Sequence, residues 1–368
     1  MTIEESDIVE NVEVNPKKNT LTRTKSTLTR TKSWFHKMMD NITSYFNDNN
    51  NILHVISVIS NPVNYKRRYE LMTQFIDQMT YNGGLNNSYP KRDTNIKLYI
   101  VELAYGDQEF VITESDNPNH LQLRCEYPLW HKENMINIGV QKLLPKNWKY
   151  MAWIDADIEF DSCHWSFDTI NLLKNNYDIV QLFSVALDLN EDNVAMNIFQ
   201  SYGYKYVEGY ANENKKGINY WHPGYAWAIR RDAYDKIGKL YDLDIVGSGD
   251  YRMAKAIVGE LCFYKGVTDG TKNNFIEWVQ NANGLLLGYV PGVIRHYYHG
   301  DKADRKYVER NDILINHNYD ATIHIEYNED GIIVPTELCP KSLLDDIYNY
   351  FSQRNEDSIY NKKSELQV

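Results

Sequence analysis

The folded body begins with an apolar run. Ile52–Ile59, within "NILHVISVIS", is rich in β-branched residues and predicts a strand buried on both faces. Asn61-Pro62 marks a turn, and Tyr65–Met79 has the apolar spacing of an amphipathic helix. A second strand is expected over Ile96–Leu103, followed by a polar, irregular insertion over residues 105–124. Lys132–Leu144 places Met135, Ile138 and Leu143 roughly on one helical side. Lys149–Ile154 and Tyr177–Phe183 supply two further strands. Strands and helices thus alternate to about residue 190, which predicts a mainly parallel sheet covered by helices on both faces.

The second half is richer in Gly, Tyr and Trp. Trp221–Tyr234 reads as a glycine turn, a short strand and the start of a helix. Ile245–Gly259 reads as a tight loop feeding a helix, and Gly284–Gly300 as two strand-like stretches around Pro291-Gly292. Asp304–Leu314 has helical character, and "SLLDDIYNYF" is one amphipathic segment ahead of a polar tail. At the other end, "LTRTKS" occurs twice, at Leu21–Ser26 and Leu28–Ser33. Residues 1–33 are therefore expected to form a flexible basic arm. Trp34, Met38, Ile42 and Tyr45 then recur at helical spacing. A helix over residues 34–50 would pack on the main body or lie on a membrane surface as a peripheral contact.

Composition narrows the function. A chain of 368 residues with 43% apolar residues can bury a large core. Its net charge of -11 argues against nucleic acid as a partner and suits a protein that brings a divalent cation to an acidic pocket. Cys125, Cys163, Cys262 and Cys339 have no C-x-x-C spacing, so neither a zinc site nor a disulfide framework is expected. No stretch has the roughly 20 apolar residues of a membrane span, and no apolar signal core stands at the N-terminus, so a cytoplasmic protein is expected.

The chemistry concentrates in "YMAWIDADIEF", where an apolar strand ends in Asp155 and Asp157. Two carboxylates at i and i+2 can converge on a hard divalent cation when the backbone turns between them, and Ala156 is small enough to permit the turn. The spacing alone is weak, because Asp242–Asp244 in "YDLDIVG" has it too, and that pair is read as structural. Position separates the two pairs. In open parallel sheets ligands bind at the carboxyl ends of the strands, and Asp155, Asp157, Ser60, Asn61 and Glu102 all lie at such ends.

In order along residues 52–315, several stretches resemble a GT-A glycosyltransferase, closest to the inverting β-1,4-galactosyltransferase and family 2-like group. "LYIVELAYGDQEF" is similar to the second family strand, with Glu102 at its nucleotide-contacting end. "LWHKENMINIGVQKLLP" is similar to the helix before the metal motif, with Asn137-x-Gly139, and "WKYMAWIDADIEF" to the D-x-D strand. "HPGYAWAIRRDAYDKIGKLYD" resembles the acceptor-side strand. "GSGDYRMAKA" resembles the acidic loop, with Gly249-Asp250 where the family usually has Glu-Asp. "VIRHYYHGDKADRKYVER" resembles the late segment that supplies a metal histidine, either His296 or His299. On a regular strand these two would face opposite ways, so one metal is expected to take one of them.

The resemblance implies an α/β, GT-A fold: a Rossmann-like nucleotide-binding sandwich with a nucleotide-sugar half over 51–190, an acceptor half over 191–320 and a C-terminal extension over 321–368. It implies transfer of a sugar from a nucleotide-diphosphate donor, a UDP-sugar, to a hydroxyl of a glycan, protein or small molecule, with inversion. Asp155, Asp157 and a histidine would hold Mn²⁺ or Mg²⁺, and Asp250 would be the general base. Ser60, Asn61, Glu102 and Lys132 would contact the nucleotide and phosphates, with Arg67 a weaker candidate. Trp221, His222 and Tyr225 would form a sugar-stacking wall. The competing readings are a nucleotidyltransferase, which lacks the expected glycine-rich loop in "VISNPVNYKRR", and a non-catalytic glycan-binding scaffold on the same fold.

Overall fold

A computed structural model describes residues 52–80, 95–210 and 220–360; the expected arm and the helix over 34–50 lie outside the described residues. The elements in order are β1 (Leu53–Ser60), α1 (Lys66–Thr80), β2 (Ile96–Tyr105), β3 (His120–Cys125), α2 (Lys132–Leu143), β4 (Tyr150–Ile154), β5 (Ile158–Phe160) and α3 (Trp165–Asn175). There follow β6 (Ile179–Gln181), β7 (Val185–Leu189), β8 (Ala195–Ser201), α4 (Tyr202–Val207), β9 (Trp221–His222), β10 (Ala226–Arg230), α5 (Arg231–Ile237) and α6 (Gly249–Ile257). The chain continues through α7 (Asp269–Ala282), β11 (Leu287–Tyr289), β12 (Val293–His296), a 3₁₀ turn (Lys302–Arg305), α8 (Arg310–Asn316), β13 (Ile325–Tyr327), β14 (Ile333–Pro335) and α9 (Lys341–Ser352).

Among the described residues the main sheet has the order β11-β6-β10-β4-β1-β2-β3. Every pairing in it is parallel except those of β10, which runs antiparallel to β4 and β6. The alternation of β1 explains why helices cover both faces. Leu53, Val55 and Ile59 join Met72 and Phe75 of α1 in one core, whereas Ile56 joins Met135, Ile136 and Ile138 of α2 in another. The expected mainly parallel α/β sandwich is therefore present. β3 corrects the sequence reading of 105–124 as irregular throughout. His120–Cys125 is a short strand on the sheet edge, and its polar residues left no clear period. No helix among the described residues is long and apolar enough to cross a membrane.

A second sheet, β5-β12-β7-β8-β9, was not anticipated. Its strands are short, and β8 has exposed apolar side chains rather than a clean alternation, so periodicity gave no warning. The chain passes from β4 in the main sheet to β5 in the second one through Asp155, Ala156 and Asp157. The amide of Asp155 donates to Tyr225 O at 2.8 Å, extending the main sheet, while the Tyr297 amide donates to Asp157 O at 2.8 Å, extending the second. The D-x-D segment is thus the seam between the sheets.

α2 sits close on the main sheet because Gly139 faces it. A Cβ there would lie 3.0 Å from a Val101 methyl and 3.4 Å from an Ile56 methyl. Gly139→Leu is expected to cost about 1–3 kcal/mol of overpacking. Urea unfolding measures this, and an unchanged midpoint would contradict the packing described.

Candidate functional site

The second sheet builds a cluster around Asp157. β12 pairs antiparallel with β5, matching His296 to Ile158, so the imidazole stands beside Asp157. β12 also pairs parallel with β7, matching His296 to Asp188. That register puts Asp188 Oδ1 at 2.7 Å from His296 Nδ1, and His296 Nε2 then points to Asp157 Oδ2 at 3.6 Å. β12 ends at His296, and the chain leaves strand geometry before Gly300, whose φ is +92°. His299 consequently faces the same way, with Nε2 at 2.7 Å from Asp157 Oδ2 and Nδ1 at 3.7 Å from Glu356 Oε2. Both histidines face Asp157, rather than opposite ways, because the regular strand stops between them.

One ligand atom from each of Asp157, His296 and His299 lies within 4.8 Å of the others. Asp157 Oδ1 is buried and accepts no hydrogen bond. His296 turns its other ring nitrogen to the Asp188 carboxylate at hydrogen-bond distance, the arrangement that fixes tautomer and ring orientation in metal centres, and His299 Nδ1 faces Glu356 at the longer 3.7 Å. The residues present therefore fit a divalent cation. Burial is the largest influence on the Asp157 carboxyl and would raise its pKa. His296 and His299, by charge and hydrogen bonding, outweigh it and hold the carboxyl well below its usual range.

Asp155 stands apart from that cluster. Its Oδ1 is 2.5 Å from Lys132 Nζ, at the start of α2. Burial raises the Asp155 pKa, Lys132 opposes the rise, and the charge of Asp157 adds to it. The other D-x-D pair is engaged in contacts away from that cluster. Asp242 accepts hydrogen bonds from Asn134, Asn137 and Tyr327, and Asp244 is paired with Arg252.

A small cavity of about 10 Å³ is lined by Lys132, Glu133, Tyr225, Tyr241 and Asp250 among others. Tyr225 joins the two regions. Its ring stacks on His222 with centroids 4.1 Å apart and lies 4.7 Å from the His296 ring. Its φ of +80° is rare for a bulky residue, and such strain concentrates at functional sites. Asp250 is in the first turn of α6 behind the N-cap residue Ser248, and its Oδ1 accepts from the Tyr251 amide at 2.8 Å. Asp250 Oδ2 lies so near Gly224 that a Cβ there would be 2.9 Å away. Trp221 packs edge-on against Tyr202.

Glu133 was not singled out in the sequence. Its carboxyl fills the space beside Gly249, where a Cβ would be 2.9 Å from Oε1. Gly249 thus admits a carboxyl from α2 beside Asp250. Burial raises the Glu133 pKa to about 8, with Lys132 opposing the rise. Asp188, Arg305 and Glu356 were also missed. An acid inside the apolar "VALDL" was the one available signal, since a buried charge in a strand needs a partner.

The strand-end candidates are engaged in local structure. Asn61 pairs both side-chain polar atoms with Tyr65, accepting from its amide at 2.9 Å and donating to its carbonyl at 2.8 Å. Glu102 accepts from the amides of Val111, Ile112 and Thr113 and from the Thr113 hydroxyl, which fixes that loop over the sheet edge. The carbonyl of Ser60 accepts from Arg68 Nη1 at 2.6 Å, and Arg67 Nε donates to Tyr298 O at 3.0 Å.

No family model matches the chain, and no curated protein is significantly similar to it in sequence. Solved structures do resemble it. A protein named as a nucleotide-diphospho-sugar transferase from Desulfovibrio desulfuricans G20 is 12% identical over 72% of this chain and 97% of that one, with a TM-score of 0.29. A mutant of Drosophila β1,4-galactosyltransferase 7 in complex with manganese, UDP-Gal and xylobiose is 12% identical over 77% and 94%, with a TM-score of 0.33. The 4-diphosphocytidyl-2C-methyl-D-erythritol synthase of Anaerococcus prevotii DSM 20548 is 11% identical over 82% and 96%, with a TM-score of 0.30. Similarity at this level defines no residue correspondence.

The raised pKa of Glu133 has a signed consequence. Between the ordinary glutamate range and about pH 8 the folded state keeps a proton that the unfolded state has lost. Wild-type stability therefore falls as pH rises through that window, and Glu133→Gln removes the fall. Melting temperatures from pH 5 to 9 should show the variant gaining on the wild type with pH; parallel curves would contradict the assignment.

Proposed function

We propose that this protein is a metal-dependent glycosyltransferase that moves a sugar from a nucleotide-diphosphate sugar, with UDP as the nucleotide, to an acceptor hydroxyl with inversion. The observation that carries the reading is the convergence of Asp157, His296 and His299 around a buried, unpartnered carboxylate oxygen, next to a cavity that holds Asp250. Asp157, His296 and His299 would hold the cation, which when bound supplies positive charge to a departing nucleoside diphosphate. Two imidazoles among the donors favour Mn²⁺ over Mg²⁺, which prefers an all-oxygen shell.

Each protein group then has a distinct task. Asp188 and Glu356 orient the two imidazoles. Lys132 neutralises Asp155 and brings its charge to the strand ends where the phosphates would lie. Ser60, Asn61 and Glu102 shape the nucleotide edge, with Glu102 holding the loop at 111–113. Asp250, with Tyr225 and Tyr241 lining the same small cavity, would take the proton of the attacking hydroxyl. Glu133, kept protonated by burial, donates a hydrogen bond to an acceptor oxygen. A single displacement, with Asp250 activating the hydroxyl as the nucleoside diphosphate departs, would invert the anomeric carbon.

Two variants test this assignment. Asp157→Ala should abolish Mn²⁺-dependent UDP binding and with it UDP-sugar hydrolysis or transfer; turnover that still needs Mn²⁺ would refute the metal centre. Asp250→Asn should retain Mn²⁺-dependent UDP binding while kcat falls by about 10²–10⁴. A kcat within a few-fold of wild type would remove Asp250 from the role of base.

A further inference from the structure

Arg305 ends the 3₁₀ turn after Gly300 and is buried, with 7% of its surface exposed. Its Nη2 lies 2.8 Å from His299 Nε2, the same nitrogen that stands 2.7 Å from Asp157 Oδ2. Its Nη1 donates to the Tyr307 hydroxyl at 3.1 Å, and its Nε is buried with no acceptor. His299 Nε2 thus faces two partners with opposite demands. The guanidinium always donates and needs the lone pair; the carboxylate accepts and needs a ring N–H. One nitrogen cannot satisfy both. Where that nitrogen presents its lone pair, Arg305 and a metal would compete for it.

The surrounding charges add a second constraint. Asp188 is paired with Lys302 at 2.6 Å, and Glu356 is paired with Arg68 and Arg354. Arg305 adds a further positive charge close to Asp157, beside the two histidines. A dication arriving alone meets an already compensated site and a competing guanidinium. A diphosphate changes both conditions, because it supplies negative charge and an acceptor that fits the guanidinium fork.

We propose that Arg305 holds the metal position in the free protein and moves onto the donor's diphosphate when the cation binds, so that metal and nucleoside diphosphate bind cooperatively. This rests on the nucleotide-sugar reading of the site. Coupling between two ligands is reciprocal, so each tightens the other by one factor, commonly about 5–150-fold.

The test is calorimetric titration of the full chain with Mn²⁺, with and without saturating UDP. Wild type, Arg305→Gln and Arg305→Lys are compared. Glutamine keeps a polar head for Tyr307 but no charge; lysine keeps the charge. Saturating UDP is expected to tighten Mn²⁺ binding to the wild type by about tenfold or more. Arg305→Gln should bind Mn²⁺ alone about tenfold more tightly than wild type and lose most of the UDP effect. Arg305→Lys should keep weak Mn²⁺ binding alone and a clear UDP effect. Equal Mn²⁺ affinities and equal UDP effects in wild type and Arg305→Gln would overturn the role of Arg305 while leaving the donor reading intact. A wild type that binds UDP equally well with and without Mn²⁺ would overturn the donor reading, and this inference with it.

Discussion

The Nδ1 atoms of His296 and His299 each face a buried carboxylate, and the geometry of the site follows from those two contacts. Asp188 and Glu356 come from distant parts of the chain, one from β7 and one from the segment after α9. Each leaves the opposite ring nitrogen directed at Asp157. Both are held below the usual carboxylate range. For Asp188 burial works against this and the His296 hydrogen bond prevails; for Glu356 burial is outweighed by Arg68 and Arg354. Fixed negative charge behind each ring raises ligand basicity in front of it. The cost of burying these charges is met by the arginine and lysine pairs around them.

That arrangement requires two sheets. Asp157 reaches the histidines because the chain changes sheet between Ile154 and Ile158, and the new strand pairs with β12. The aspartates of the D-x-D segment consequently have different surroundings. Asp155 faces a lysine and its pKa is raised; Asp157 faces two imidazoles and its pKa is depressed. Tyr225, in a strained backbone conformation, links the histidine cluster to the cavity that holds Asp250 and Glu133.

Much of this was legible in the sequence. The main-sheet strands at Leu53–Ser60, Ile96–Tyr105 and Tyr150–Ile154 follow from long apolar runs, which periodicity reads well. The location of Asp157 at a strand end, of Asp250 at a helix start and of two histidines after Pro291-Gly292 was also readable. The second sheet was not: beyond the strand-like stretch at β12, its strands of two to seven residues carry too little pattern. Without β5, β7 and β12 no argument could bring Asp188 to His296 or predict that His299 turns the same way. Glu356 lay in what read as a polar tail, where local composition says nothing of burial. Glu133 was hidden for another reason: its carboxyl meets Gly249 across two distant helices, which only the fold reveals.

The most direct test of the account is the position of a bound metal. Anomalous diffraction from crystals grown with Mn²⁺ and UDP should give a peak at about 2.1–2.3 Å from the Asp157 carboxylate and from Nε2 of both His296 and His299. A manganese held instead by Asp155, or touching neither histidine, would contradict it.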